Sequence, residues 1–446
     1  MNDDFHNSLL ASWLKKQIRR DPIWNRRLKL LANCMTYGDL HGGVQVVSNN
    51  TDTRILGVRP CLHAWACPEC TAKKMSKYST RIAAAIDALY KKDLVPIMIT
   101  YTVFHTIQQD CEQTYKLLLK SWNNFDKNKT WRRKKKTPTK KIQSNHVEGD
   151  YYIKASPWGE FYNEFHCNHT VKTLEITYGK HGWHPHIHQL VWIPKSKLQK
   201  TAEFEQRLQE FWNKCVDNAA KIIFDEKHYE TRKFLESKPT REDYNHQGLY
   251  ISKTETGKIK AWSSGDYLCG WGGNNELTGL GMKIAHGENV TPFQMLEKSY
   301  DLELKHPEHS KYLLDKYFEF AYTVIKNRIS RVQFSRTGLK SIIDTHLQTE
   351  EFKSILKKKK EKLNIKPYHN VAWFTSKQWH DICYSDNPYL IPLIKRFATY
   401  EDDPIFGVGA FELISELMIV NGLDPPAWIA SPTTDFAEWF NKKIAA

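Results

Sequence analysis

Residues 182 to 192 read Gly-Trp-His-Pro-His-Ile-His-Gln-Leu-Val-Trp, and no other run constrains the fold of this chain as tightly. A strand sends alternate side chains to one face, so His184, His186 and His188 point one way while Ile187, Leu190 and Trp192 anchor the segment in a core. Three imidazoles on one face point to metal ligation rather than to isolated surface histidines. Just upstream, Val-Lys-Thr-Leu-Glu-Ile-Thr-Tyr (171 to 178) alternates as a second strand, and a turn over 178 to 183 joins the two into a hairpin. Glu175 then faces the side of His186 and His188. Two nitrogens and a carboxylate oxygen with open positions suit a divalent ion acting as Lewis acid on a phosphate.

Composition says what that chemistry meets. The 446 residues carry 65 Lys and Arg against 50 Asp and Glu, a net charge of +15. With a pI near 9.2, this balance favours polyanionic partners, nucleic acid first. The length allows a large core and more than one domain. No apolar run is long enough to cross a bilayer, and the opening Met-Asn-Asp-Asp-Phe-His is too acidic and polar for a secretory signal. The expected location is the cytoplasm, with no membrane partner.

The nine cysteines are too few and too unevenly spaced for a secreted disulfide framework. Cys67 and Cys70 form a Cys-x-x-Cys knuckle, Cys61 lies shortly before it, and Cys34 lies beyond a Gly- and Asn-containing loop. Four thiolates in this pattern fit a closed tetrahedral Zn²⁺ site, with His63 an alternative ligand. A redox role for the knuckle would need a thioredoxin-like βαβ context, which the sequence lacks.

Periodicity organises the rest. An amphipathic helix occupies the first thirty residues, and a basic helix runs from Thr71 to Lys92. A buried strand covers Val95 to His105, and helices are expected over Cys111 to Asp126 and Lys197 to Ala220. Residues 127 to 147 hold no acidic residue, and Lys127 to Lys141 alone holds nine cations, including Arg132, Arg133, Lys134, Lys135 and Lys136. Such a stretch reads as a mobile loop that contacts DNA backbone. After Thr291 the pattern is mostly helical, Lys357 to Lys360 opens a basic linker, and Ser376 to Ala446 reads as a separate helical module.

These motifs, in this order, resemble the rolling-circle replication initiators of bacterial plasmids, members of the HUH endonuclease superfamily. The resemblance covers roughly residues 57 to 340. It rests on the cysteine module, Ile97 to His105, Glu175, Trp183-His-Pro-His-Ile-His188, the tyrosine motif Asp266 to Thr278, Thr291-Pro-Phe-Gln-Met-Leu296 and Phe334 to Lys340. It implies an α+β fold with a central antiparallel sheet flanked by helices. The zinc module would occupy 1–75, the HUH endonuclease domain 76–285 with its basic loop at 127–150, a helical extension 286–345, and the linker and helical module 346–446. It further implies Mg²⁺ or Mn²⁺ held by His186, His188 and Glu175. Tyr267 would be the nucleophile, forming a 5′-phosphotyrosine and a free 3′-OH on single-stranded or hairpin origin DNA. A host helicase and DNA polymerase are the partners implied.

The chain departs from the pattern twice. Many relatives place a lysine three residues after the tyrosine, where this sequence has Gly270, so the cation would come from elsewhere, with Lys283 a candidate. Some carry a glutamate shortly before the tyrosine for the terminating cleavage, where Ser263 and Ser264 stand. Termination would then use water activated by Asp266 or a second tyrosine such as Tyr250. Two other readings fit the same residues: a transposase of the insertion-sequence type, and a zinc-containing DNA-binding protein that has lost nicking.

Overall fold

The computed structural model describes residues 3–36, 43–49, 53–63, 65–127, 132–134, 151–153, 156–223, 248–252, 289–330, 332–335, 338–362, 368–399 and 409–427. Its strands are β1 (Gly43–Ser48), β2 (Thr53–Leu56), β3 (Leu94–Thr102), β4 (Arg132–Lys134), β5 (Tyr151–Ile153), β6 (Thr170–Gly179), β7 (Gly182–Pro194), β8 (Gly248–Ser252), β9 (Val332–Phe334) and β10 (His369–Thr375). Helices flank antiparallel sheets, an α+β architecture. The chain forms two compact units, one from Met1–Met75, Met295–Ile329 and Lys353–Ala446, the other from Ser76–Gln294 and Ser330–Phe352.

The second unit is built on a five-stranded sheet in the order β8-β3-β7-β6-β9. Pro96 lies within β3, where a missing N–H would break a central ladder. It is tolerated because β8 pairs only with Met98 to Thr102, leaving Pro96 on an edge. Alternation gives the sheet two unlike faces. On one, Tyr101 is fully buried and its ring centroid lies 5.1 Å from Trp122, 5.3 Å from Phe125 and 5.1 Å from Trp212. The first two rings come from helix Cys111–Phe125, which Asp110 and Gln113 start with a reciprocal capping box, and the third from helix Ala202–Ile223. Each such aromatic contributes about 2–3 kcal/mol by burial, so an alanine at Tyr101 should cost about 3–5 kcal/mol. The other face carries Thr100, Thr102, Glu175 and the histidines.

The segment after β9 is clamped to helix Pro68–Tyr90 by polar contacts between side chains. Arg81 meets Asp344 at 2.9 Å and His346 meets Asp87 at 2.7 Å. Ion pairs with carboxylates on both elements hold Lys91, which lies 3.3 Å from Asp87 and 2.7 Å from Glu351.

In the first unit, β10 pairs antiparallel with β1 and β1 with β2. The indole of Trp379, buried in helix Ser376–Tyr384, donates to the carbonyl of Met35 at 2.8 Å. Two expectations shift here. Ser376–Ala446, expected as a separate helical module, falls with residues 353–375 in the same compact unit as residues 1–75, where β10 supplies an outer strand to β1. Lys357 to Lys360 lie inside helix Glu350–Lys362, not in a linker. The helix tolerates them because Glu350 and Glu351 occupy its positive first turn while the lysines fall toward its negative end. The basic loop also departs from expectation: Arg132–Lys134 pair with Tyr151–Ile153 as a two-stranded ribbon.

Candidate metal centres

The hairpin β6–β7 positions the first site. Glu175 and His186 are direct register partners, as are Thr173 and His188, and Thr177 and His184. Lys180 and His181 make the link, and Gly182 follows at φ +86°, where an added Cβ would lie 2.7 Å from the Thr106 carbonyl oxygen. Only glycine fits there. Tyr178 and Trp183 close the hairpin from the opposite face, their rings 4.9 Å apart and inclined at 63°.

Glu175 Oε2 lies 3.0 Å from Nε2 of His186 and 3.0 Å from Nε2 of His188. The three side chains are only 12%, 13% and 9% exposed. His188 is held from behind by Thr100, whose Oγ1 lies 2.9 Å from Nδ1. When that hydroxyl accepts from Nδ1–H, the Nε2 lone pair faces the carboxylate and calls for a cation between them. Neighbouring ligands on an octahedral ion at about 2.1 Å stand about 3.0 Å apart, so these two edges fit a small divalent ion. Nδ1 of His186 finds no hydrogen-bond partner among the described residues, so of the two rings His188 is the one oriented by a second hydrogen bond.

His184 lies outside this three-residue group. Its ring stacks on that of His105, with centroids 4.7 Å apart and planes 22° from parallel. Burial pushes His184 down to about 2, with His186 adding repulsion, and pushes His105 down to about 4. The His105 ring bonds the Val103 carbonyl through Nδ1 at 3.2 Å. Thr100 and His105 were not singled out from sequence as site residues. The alternation Thr100-Tyr101-Thr102 at the end of a buried strand was the available signal.

A second cluster lies in the first unit. Cys34 Sγ is 3.7 Å from Cys70 Sγ and 3.5 Å from Cys67 Sγ, and Cys61 Sγ is 3.6 Å from Cys70 Sγ. A tetrahedron of sulfurs at about 2.3 Å from Zn²⁺ has edges of about 3.8 Å, whereas a disulfide brings sulfurs to about 2.05 Å. The cluster therefore has the dimensions of a metal site. The neighbouring thiols and Lys15 hold Cys34 well below the usual thiol range, while those thiols and burial hold Cys67 well above it. The backbone N–H of Cys61 donates to Cys34 Sγ at 3.3 Å. Two distant side chains brace the knuckle: Tyr317 donates to the Ala66 carbonyl at 2.6 Å, and Lys395 meets Glu69 at 2.7 Å. His63 is not in the group.

The chain is similar to a Rep protein. This relative, named "Protein rep", from Streptomyces lividans, is 26% identical over 283 residues, covering 59% of this chain. The match spans 58% of the relative, less than two thirds of its length. No family model matches the chain, and no solved structure matches it.

Several expected site residues fall outside the described ones: Lys135, Lys136, Ser263, Ser264, Asp266, Tyr267, Gly270 and Lys283. Both flanks of the tyrosine segment are described. Before it, Ser252 in β8 is the register partner of Met98 in β3. After it, Val290 exchanges backbone hydrogen bonds of 2.9 and 2.8 Å with Tyr178, near the hairpin tip. Tyr250 is the register partner of Thr100. No helix among the described residues is long and apolar enough to cross a membrane.

Proposed function

We propose that this chain is a plasmid rolling-circle replication initiator of the HUH type, which nicks single-stranded or hairpin origin DNA and rejoins it. The observation that carries this reading is the convergence of Glu175, His186 and His188 on one point of a central hairpin. These three residues would hold Mg²⁺ or Mn²⁺, which supplies Lewis-acid polarisation of the scissile phosphate. Tyr267 is the proposed nucleophile. Its phenolic oxygen bonds to phosphorus as the P–O3′ bond breaks; the phenol gives up a proton and the departing 3′ oxygen takes one up, so the transesterification is proton-neutral. A 5′-phosphotyrosine and an extendable 3′-OH result. The flanks of the segment that bears Tyr267, at Ser252 and Val290, are both bonded into the sheet that holds the triad, which supports the assignment. Termination is assigned to water activated by Asp266 or to Tyr250, and the cation missing at Gly270 to Lys283. The basic residues Arg132 to Lys136 would bind DNA backbone, and the cysteine cluster would hold structural Zn²⁺.

The test is a covalent adduct. Purified protein, a labelled single-stranded origin oligonucleotide and Mn²⁺ should give a protein–DNA adduct that peptide mapping places on Tyr267. His186→Ala and Tyr267→Phe should abolish it while binding persists. An adduct confined to another tyrosine would overturn the nucleophile assignment, and undiminished cleavage by both His186→Ala and His188→Ala would overturn the metal site.

A further inference from the structure

The segment before the cysteine cluster carries charge that neither proposed metal centre uses. Helix Pro22–Arg27 starts at Asp21, whose carboxylate accepts from the N–H of Ile23 at 2.8 Å and of Trp24 at 3.1 Å. Its inner side is aromatic: Trp24 packs on Phe318 and Tyr322 of helix Pro307–Lys326, with centroids 5.3 and 6.4 Å away. Its outer side is basic. Arg27 lies 5.1 Å from the centre of the Tyr322 ring and Lys326 lies 5.6 Å from the same ring, so cations from two helices flank one tyrosine. Arg20, Arg26 and Lys29 are exposed along the same stretch, and Arg328 follows Lys326. Among the described residues, no carboxylate stands within ion-pairing distance of Arg20, Arg26, Arg27, Lys29 or Arg328. The acids nearest Trp24 are otherwise engaged, Asp21 capping the helix and Asp315 accepting from Trp24, whereas Lys395 and Arg81 are each paired with a carboxylate.

We propose that this face of the first unit binds the phosphate backbone of double-stranded DNA, apart from the strand that is cut. Single-strand platforms present aromatic rings for bases to stack on. Here Phe318 is buried, Trp24 and Tyr322 are half-buried against their neighbours, and cations lie over the Tyr322 ring, so charge rather than open ring faces dominates the surface. That pattern suits a duplex backbone, whose charge density is the higher. The helix lies outside residues 57 to 340, where the motif resemblance runs. The inference rests on the reading of the chain as a DNA-nicking protein, and the test separates the two.

The full chain would be compared with the triple variant Arg26→Ala, Arg27→Ala, Lys29→Ala by fluorescence anisotropy on a labelled duplex carrying the origin, across a salt series. Each lost phosphate contact flattens the log–log salt slope by about 0.9, so the triple variant should lose about 2–3 from its slope. Affinity for the duplex should fall tenfold or more. Nicking of a short single-stranded oligonucleotide should persist at the parent rate, and Arg27→Lys should keep the parent slope. A parent slope and affinity in the triple variant would overturn the proposal, including the case in which the face serves an acidic protein instead. Loss of duplex binding in a chain that never nicks would leave the face standing and sink the nicking reading.

Discussion

At the scale of single residues, Thr100 and His105 flank the histidine face in different ways, Thr100 bonding His188 and His105 stacking on His184. Thr100 orients His188 through one hydrogen bond, and Thr100→Val keeps the shape while removing that partner. Loss of such outer support costs about 10–100-fold in metal affinity, so Mn²⁺ titration should show a weakening in that range with the fold intact. His105 gives a pH signature. Its folded value, about 4, lies below the ordinary 6.5, so the unfolded chain binds the proton more readily between those values. Stability from this group is therefore full above pH 6.5 and is lost as pH falls toward 4. The shift corresponds to roughly 3 kcal/mol. Denaturant melts of metal-free protein should show that decline, and His105→Gln should make it shallower, leaving the part that His184 contributes.

At the scale of elements, the hairpin was legible because its signals are local. Alternation, a turn and three histidines at a spacing of two fix one register, and a slip of one residue would turn Glu175 away from His186. Gly182 is where that register is most exposed to a single change. Gly182→Ala meets both a left-handed backbone and the Thr106 carbonyl, so it should destabilise by about 1–3 kcal/mol in thermal melts and weaken Mn²⁺ binding. The cysteine quartet was equally readable, since spacing alone nominated all four. Strand β10 was not. His-Asn-Val-Ala-Trp-Phe-Thr is short, and its partner β1 lies more than three hundred residues earlier, so no local pattern could announce the pairing. Strands β1 and β2 pair locally, yet they lie within a stretch that reads as loop. Thr100 escaped notice because a threonine in a buried strand is unremarkable until its register against His188 is known.

At the scale of the whole molecule, the chain order and the packing order differ. The first unit draws on three separated stretches, and its cysteine cluster is braced by residues from the two later ones, Tyr317 and Lys395. The Lys395–Glu69 pair is the sharper test of that design, because both side chains are less than a tenth exposed and Glu69 sits between Cys67 and Cys70. Coulomb attraction between buried charges barely offsets their desolvation, but removing one partner strands the other. Lys395→Met should therefore cost about 3–5 kcal/mol in a denaturant melt and lower the zinc bound per chain. The double variant Lys395→Met, Glu69→Gln should recover most of the loss, since no bare charge is left inside. A single variant with unchanged stability and zinc content would show that the cysteine knuckle stands without the C-terminal segment. A deficit that the double variant fails to relieve would trace the damage to lost packing of the lysine stem rather than to charge.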